Sequence, residues 1–443
     1  MYQRMMDYAK KHGVSEIEFY VLEKEELEIG LFHGEIDTYQ VSKLKTIAAR
    51  GLYQGKMGYA SSEKFEKGVE KKLIKALINN AKLVSSSDPE ELYGGESAYP
   101  QLETFTPTLP SESVQSKMKR LHQIEKAILA YDTRIVDVAD NVYNEVTKTV
   151  SIVNSLGLQV QRKSNYGLYY ATAVAKGLEG SKDGSAIQYF HHTKDFDRDA
   201  LVKEACETAL SKLGAKPVAS GAYKVLIQNK VMVNLLPLIL QSTFADNVQK
   251  GYSMLGDKLK TSIAASCFSV IEDPLTIHSF LGNAFDDEGV ATQTKRIIDR
   301  GVLTTFVHSL KTAKKAGVSS TGNGYKAGVN APVDVSLAYT YVEPGTASLD
   351  DLVQQVGQGL LLTSLQGLHS GLDAISGNFS LQAAGFVIEN GKVGRPVSLI
   401  TVAGNLFTLL QDIEAVGNDS RNGFNPMVVS PSLIVKQLMV SGK

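Results

Sequence analysis

Residues 376–419 read SGNFSLQAAGFVIENGKVGRPVSLITVAGNLFTLLQDIEAVGND, a run in which turn formers punctuate apolar stretches. Glu389-Asn390-Gly391-Lys392 is a hairpin signal, because Asn-Gly accepts the positive φ angles of a tight primed turn. Strands are predicted on either side, over 384–388 and 397–402. After Gly404 the period changes: Leu406, Leu409, Leu410 and Ile413 share one helical face, and Gly417 with Asn418 offers a C-cap. Strand, hairpin, strand and helix in this order predict a mixed, β-rich unit.

Working outward, the chain opens with helical spacing over 1–12, followed by strands over 16–20, 26–32, 35–42 and 46–53 and a helix over 66–84. Residues 85–110 lose periodicity and collect turn formers, as in SSSDPEELYGG and TPTLP; Tyr93, Tyr99 and Phe105 suggest a crossover packed on the surface. A second long helix opens at Ser111, strands recur over 141–154, 158–163 and 166–176, and a helix covers 197–212. Small and turn-forming residues from Gly214 to Gly221 mark a domain boundary. Downstream, a helix is predicted over 231–245 and a strand over 333–341, and Ser348 with Asp351 starts a further helix as a capping-box variant. The fold class expected is α+β: an N-terminal two-layer domain of helices on an antiparallel sheet, 1–215, then a β-rich mixed C-terminal domain, 220–443. Within the first, 1–84 and 111–213 are joined by the crossover 85–110.

With 443 residues and 43% hydrophobic content, the chain can bury a sizeable core. Lys and Arg number 46 against 47 Asp and Glu, so no excess of positive charge exists to neutralise a polyanion, and direct nucleic-acid binding is not expected. The N-terminus lacks the apolar core of a secretory leader, and no window approaches the ~18 uninterrupted apolar residues of a membrane span. A cytoplasmic protein is the expectation. Cys206 and Cys267 are too few for a disulfide framework and are read as small buried hydrophobes.

Asp286, Asp287 and Glu288 form an acidic triplet, with His278 and His308 near in sequence. Three successive residues cannot converge on one ion, and Gly289 beside them predicts a solvated turn. His191-His192 is likewise read as surface, its rings on opposite faces of a strand. No HExxH, GxSxG, Walker A or GxGxxG motif stands in a plausible context.

The 376–419 run resembles the C-terminal signature of the TldD/PmbA family, above all its PmbA (TldE) branch, in which a GN(F/Y)S turn, a GF-IENG hairpin, a PVS-IT-AGNL strand and an AVGND end recur in order. Two further blocks agree: Phe285 to Thr292 with Ile298 to Leu303 and Ser319 to Gly324, and the hairpin from Arg50-Gly51-Leu52-Tyr53 to Gly58-Tyr59-Ala60. TldD-type members carry an HExxxH helix, in which two histidines hold zinc and a glutamate activates water, and a cysteine in the turn of the signature. By alignment on Lys250-Gly251, Leu236, Pro237 and Gln241 stand at the ligand, base and ligand places, Phe379 stands near that of the cysteine, and 225–268 contains no histidine.

The resemblance thus implies a chain without its own metal site, acting in a cytosolic TldD/TldE-type peptidase complex on unfolded or ribosomal peptides. A zinc-type metal is expected only in a TldD-type partner; the other partner considered is a second copy of this chain. Asn378, Ser380 and Asn405, with the acidic triplet, are candidate peptide-groove or structural signature residues. The alternatives are a homodimeric, non-enzymatic peptide-binding or scaffold protein, and an enzyme with a divergent site using the triplet and His278 or His308. The family's older association with DNA gyrase finds no support in the charge balance.

Overall fold

The computed structural model describes residues 1–66, 68–85, 90–276 and 279–443. Its N-terminal half is built on one antiparallel sheet of β1 (Val14–Phe32), β2 (Glu35–Tyr53), β3 (Lys56–Ser62), β4 (Ile135–Asn154), β5 (Gln159–Gly177) and β6 (Gly180–Phe190), in the order β3-β2-β1-β4-β5-β6. The breaks expected near Lys24 and Ser164 do not occur. Near Lys24 β1 is paired on both sides, with β2 and β4, and at Ser164 β5 stays paired with β4, so the ladder carries the backbone through polar stretches that look like turns in isolation.

Period-two alternation gives the sheet two distinct faces. On β1, Ile17, Phe19, Val21, Ile29 and Leu31 point to the helices. Tyr2–Lys11 and Val69–Leu83 cover one end through Met5, Leu73 and Leu77; Val114–Leu129 and Arg198–Ser211 cover the other through Leu121, Ile124, Leu201 and Cys206. The intervening residues Glu18 and Tyr20, with Ala48 and Arg50 of β2, turn to the opposite face, where the C-terminal half packs. The α+β class expected from the sequence is observed.

The C-terminal half contributes β7 (Gly221–Ile227), β8 (Val270–Glu272), β9 (Lys295–Asp299), β10 (Val302–Leu303), β11 (Gly324–Lys326), β12 (Val333–Val335), β13 (Thr340–Val342), β14 (Gly359–Gln366), β15 (Asn378–Glu389), β16 (Lys392–Asn405), β17 (Ile413–Val416), β18 (Arg421–Asn422), β19 (Val428–Ser430) and β20 (Leu433–Ser441). Strands β16-β15-β14-β7-β20 close into a barrel because β20 pairs back onto β16, and β17 extends β20 at its other end. A second sheet runs β10-β9-β8-β13-β19-β18, and β11 pairs with β12. The main hydrophobic cluster joins helix Asn229–Leu240 to barrel residues Val225, Leu362, Leu381, Val402 and Leu433.

Several expectations shift. Glu389 and Lys392 pair across the predicted turn, with φ of 53° at Asn390 and 69° at Gly391. The helix after Gly404 ends at Gln411, however, and Ile413 starts β17, so Gly417 and Asn418 follow a strand. Residues 333–341 divide between β12 and β13, in different sheets. The helix expected over 231–245 stops at Leu240 and tightens into the 3₁₀ turn Gln241–Thr243. Among the described residues, no helix is long and apolar enough to cross a membrane.

Candidate functional site

The acidic triplet is where the two halves meet, and it is buried: Asp286, Asp287 and Glu288 are 0%, 5% and 3% exposed. The solvated turn expected from Gly289 is corrected. Because the three side chains diverge, each meets different donors. Asp286 folds back on its own turn, accepting from the backbone N–H of Glu288 (2.9 Å), Val290 (3.0 Å) and Gly324 (2.8 Å). Asp287 accepts from Arg162 Nη2 of β5 (2.5 Å), Tyr20 Oη of β1 (3.0 Å) and the Lys326 N–H (2.9 Å). Glu288 accepts from Arg50 Nη1 of β2 (3.2 Å) and the Leu310 N–H (2.7 Å).

Arg50 joins the halves most directly, since its Nε also donates to Glu18 of β1 at 2.6 Å. Its Nη2 is buried and has no hydrogen-bond partner among the described residues. Gly324 is required by the same packing: a Cβ there would stand 2.2 Å from Glu288 Oε2. Two cavities of about 210 and 220 Å³ flank Arg50 and Tyr59, one reaching Tyr20, Asn80 and Lys326, the other Glu90, Lys250 and Lys311.

The electrostatics follow from burial and partner. Burial, then the nearby Glu288 carboxyl, pushes Asp286 well above the usual carboxylate range against its three N–H donors. Glu288 is raised by burial, partly countered by Arg50 and the Leu310 N–H. Burial acts on Asp287 too, but Arg162 and the Lys326 N–H outweigh it and its carboxyl lies below the usual range. Buried acids compensated in this way are the pattern of a structural ion network.

The remaining candidates fall elsewhere. Asn405 accepts from the N–H groups of Phe407 and Thr408 at the start of helix Leu406–Gln411, and its Nδ2 donates to Ser376 O (2.7 Å) and Asn378 Oδ1 (2.9 Å). Asn378 and Ser380 are exposed beside it. Among the described residues, no hydrogen bond or ion pair links this turn to the triplet. His308 is partly buried, its pKa lowered by burial, while His278 lies outside the described residues. His191 is buried, and its ring lies 5.0 Å from that of His192 in a bend beyond β6, which corrects the expectation of opposite faces. Cys206 is buried as expected; Cys267 is exposed.

A zinc-type ion does not fit the residues at the positions singled out from the HExxxH pattern. Leu236 is fully buried, Pro237 lies inside the same helix, and Phe379 is buried in the main hydrophobic cluster. None has a lone pair to give, and Gln241 brings only a neutral amide, whereas zinc sites use imidazole, thiolate or carboxylate. Among the described residues, no group of three or more His, Cys, Asp or Glu is disposed to hold a metal ion.

Arg50, Arg162, Glu18, Tyr20 and Lys326 were not singled out as site residues from the sequence. One signal was available: Arg50 interrupts the apolar run Ile47-Ala48-Ala49, and a lone arginine in a strand otherwise suited to burial needs a buried partner.

Comparison with known proteins agrees across the chain. The C-terminal domain of the PmbA/TldA metallopeptidases matches residues 220–442, their central domain 107–213 and their domain 1 residues 17–82. A metalloprotease PmbA homolog of Haemophilus influenzae is 27% identical over 403 residues, covering 88% of this chain and 84% of that protein. The crystal structure of a candidate modulator of a DNA gyrase from Thermotoga maritima superposes with a TM-score of 0.90 at 31% identity, covering 99% of both chains. TldE from Thermococcus kodakarensis shares the fold, with a TM-score of 0.91 at 21% identity over the whole of both chains. With one domain match spanning half the chain and two more covering much of the rest, this protein belongs to the PmbA/TldD family of metallopeptidases.

Proposed function

We propose that this chain is a PmbA/TldE-type subunit of a cytosolic TldD/TldE-type metallopeptidase complex, acting in the proteolysis of unfolded or ribosomal peptides while a TldD-type partner holds the zinc-type metal. The observation that carries this reading is the donor set at Leu236, Pro237, Gln241 and Phe379: two hydrocarbon side chains, a neutral amide and a phenyl ring where hydrolysis would need ligands and a base. The junction acids do not replace them, since each is committed to a salt bridge or to backbone N–H groups.

The family name of the relatives supports a peptidase setting, and the fold offers surfaces for an extended chain. A groove of about 650 Å³ runs between the crossover at Tyr99 to Phe105 and β5 at Val160 to Lys163. The barrel itself is closed, so strand addition, which needs a free edge, falls to other strands.

The test is co-expression with a TldD-type protein from the same genome, following cleavage of a denatured substrate. Cleavage should require both chains. Equal activity with and without this chain would sink the reading, as would stoichiometric zinc in the lone purified chain.

A further inference from the structure

The cavity of about 210 Å³ beside Arg50 has an amine in its wall, that of Lys326 on β11. The arginines of the junction are neutralised, Arg50 by Glu18 and Glu288 and Arg162 by Asp287. Among the described residues Lys326 makes no ion pair. Its Nζ stands 5.6 and 5.9 Å from the ring centroids of Tyr20 and Tyr59 and donates to Ala331 O at 2.7 Å. A cation enclosed in this way carries a desolvation cost that no ion pair offsets.

Position and surroundings together make this amine a nucleophile. A neutral amine that donates one N–H to Ala331 O keeps its lone pair, and the cavity that it lines has room for a reactant. Burial, then the neighbouring Arg50 charge, hold its pKa at about 8, with the Asp287, Glu18 and Glu288 carboxylates opposing. Roughly a tenth of it is then free amine at pH 7, where an ordinary lysine offers about 0.04%. Desolvation and an adjacent cation are the two means by which imine-forming lysines are activated. The walls select the reactant. Tyr20 and Tyr59 with Ala48, Ala60 and Val329 present apolar surface, and the volume exceeds the ~150 Å³ that holds benzene in an engineered protein interior. Glu18 and Asp287 line the same cavity, and Arg50 is already shared between two carboxylates, so a reactant bearing its own carboxylate has no free cation to meet.

We propose that this cavity takes up a small, neutral, apolar aldehyde and that Lys326 binds it covalently as an imine. The Nζ lone pair adds to the carbonyl carbon, and both N–H protons of the amine then leave on the carbonyl oxygen as water while the C=N bond closes. No oxidant, reductant or further leaving group is required. The charge that was costly to bury is gone, and the hydrogen bond to Ala331 O passes to water, since Ala331 is only partly buried. The proposal is independent of the peptidase reading, because it needs neither a peptide nor a metal.

The test is reductive trapping of the full chain with cyanoborohydride at pH 7, the adducts being mapped by mass spectrometry. The chain's α-amino group is the internal standard: it too titrates near ~8, but it stands in the open on Met1, which is 60% exposed. Benzaldehyde should label Lys326 about 10-fold or more faster than the α-amino group. Glyoxylate, an aldehyde that carries a carboxylate, should lose that preference. An equal ratio of the two amines for both aldehydes would mean that basicity alone governs the reaction.

Two variants separate the nucleophile from the cavity. Lys326→Arg keeps a cation, removes the amine and should lose the fast-labelled site altogether. Ser61 lines the cavity from an exposed position, on the same face of β3 as Tyr59. Ser61→Trp should slow benzaldehyde at Lys326 about 10-fold and leave the α-amino group unchanged; circular dichroism checks that each variant folds. Benzaldehyde found only on the α-amino group and exposed lysines, an equal ratio of the two amines for both aldehydes, or labelling of Lys326 indifferent to Ser61→Trp would each overturn the proposal.

Discussion

Lys326 lies over the rings of Tyr20 and Tyr59, with its Nζ 5.6 and 5.9 Å from their centroids, and donates to Ala331 O at 2.7 Å. Burial, then the neighbouring Arg50 charge, lowers its pKa to about 8, with Asp287, Glu18 and Glu288 opposing. An unfolded lysine titrates near ~10.4, so between about 8 and that value the unfolded chain binds more protons than the folded one, and stability rises with pH. Below this window both states carry the charge and the folded state bears its full cost. Lys326→Met should therefore be more stable than the parent at pH 7, with the difference shrinking by pH 9.5. Guanidinium unfolding at the two pH values measures this, and an equal difference at both would refute it. The same neighbourhood shows why the triplet was misread from sequence. Burial of Glu288 and Asp287 depends on Arg50 and Arg162, which stand 238 and 125 positions away, and nothing local in DDEG reports so distant a partner.

At the scale of single elements, what was legible is what is locally determined. The Asn390-Gly391 turn and the Ser348 cap of helix Leu349–Val356, with its reciprocal Asp351 bonds, are both present, because φ preference and capping act within four residues. Strand lengths and the fate of Ile413 were not, because pairing with Val435 of β20 overrides helical spacing. Asn405 shows the local logic inside the family signature: it caps helix Leu406–Gln411 with Oδ1 and ties the preceding turn to the strand end with Nδ2. Asn405→Ala removes the cap and the ties together, and should cost about 1–2 kcal/mol of unfolding free energy. Asn405→Asp keeps the acceptor and should recover part of the loss. Ser380→Ala, exposed beside the same turn, should leave stability unchanged. Chemical denaturation of the three variants decides; equal effects of the alanine and aspartate changes at position 405 would show that the cap contributes nothing.

Across the whole molecule, two halves with separate cores are joined by a polar seam around a small apolar cluster, with further ring contacts of Tyr166 to Phe280 and Tyr170 to Phe424. Tyr20, Ala48, Val150 and Ile152 of the first sheet and Leu158 of the turn between β4 and β5 enclose Phe285. Around them run Arg162 to Asp287, Arg50 to Glu288, Tyr99 Oη to Gly289 O at 2.6 Å and, at a distance, Arg421 and Lys230 to Glu204. Such a seam makes folding of the halves interdependent, since separating them strands buried charges on both sides. The parent should therefore unfold in one calorimetric transition. Arg50→Ala leaves Glu18 and Glu288 facing each other without their shared cation, and breaking a buried pair in this way costs ~3–5 kcal/mol. The loss falls on the seam, while the cores of the barrel and of the helix-covered sheet keep their contacts. Calorimetry of Arg50→Ala should accordingly show two transitions, the lower well below the parent midpoint. Arg50→Ala with Glu18→Gln and Glu288→Gln, which removes the stranded charges, should bring the two closer together. A single transition of Arg50→Ala at the parent's midpoint would mean that the apolar contacts alone couple the halves and that the ion network is incidental to them.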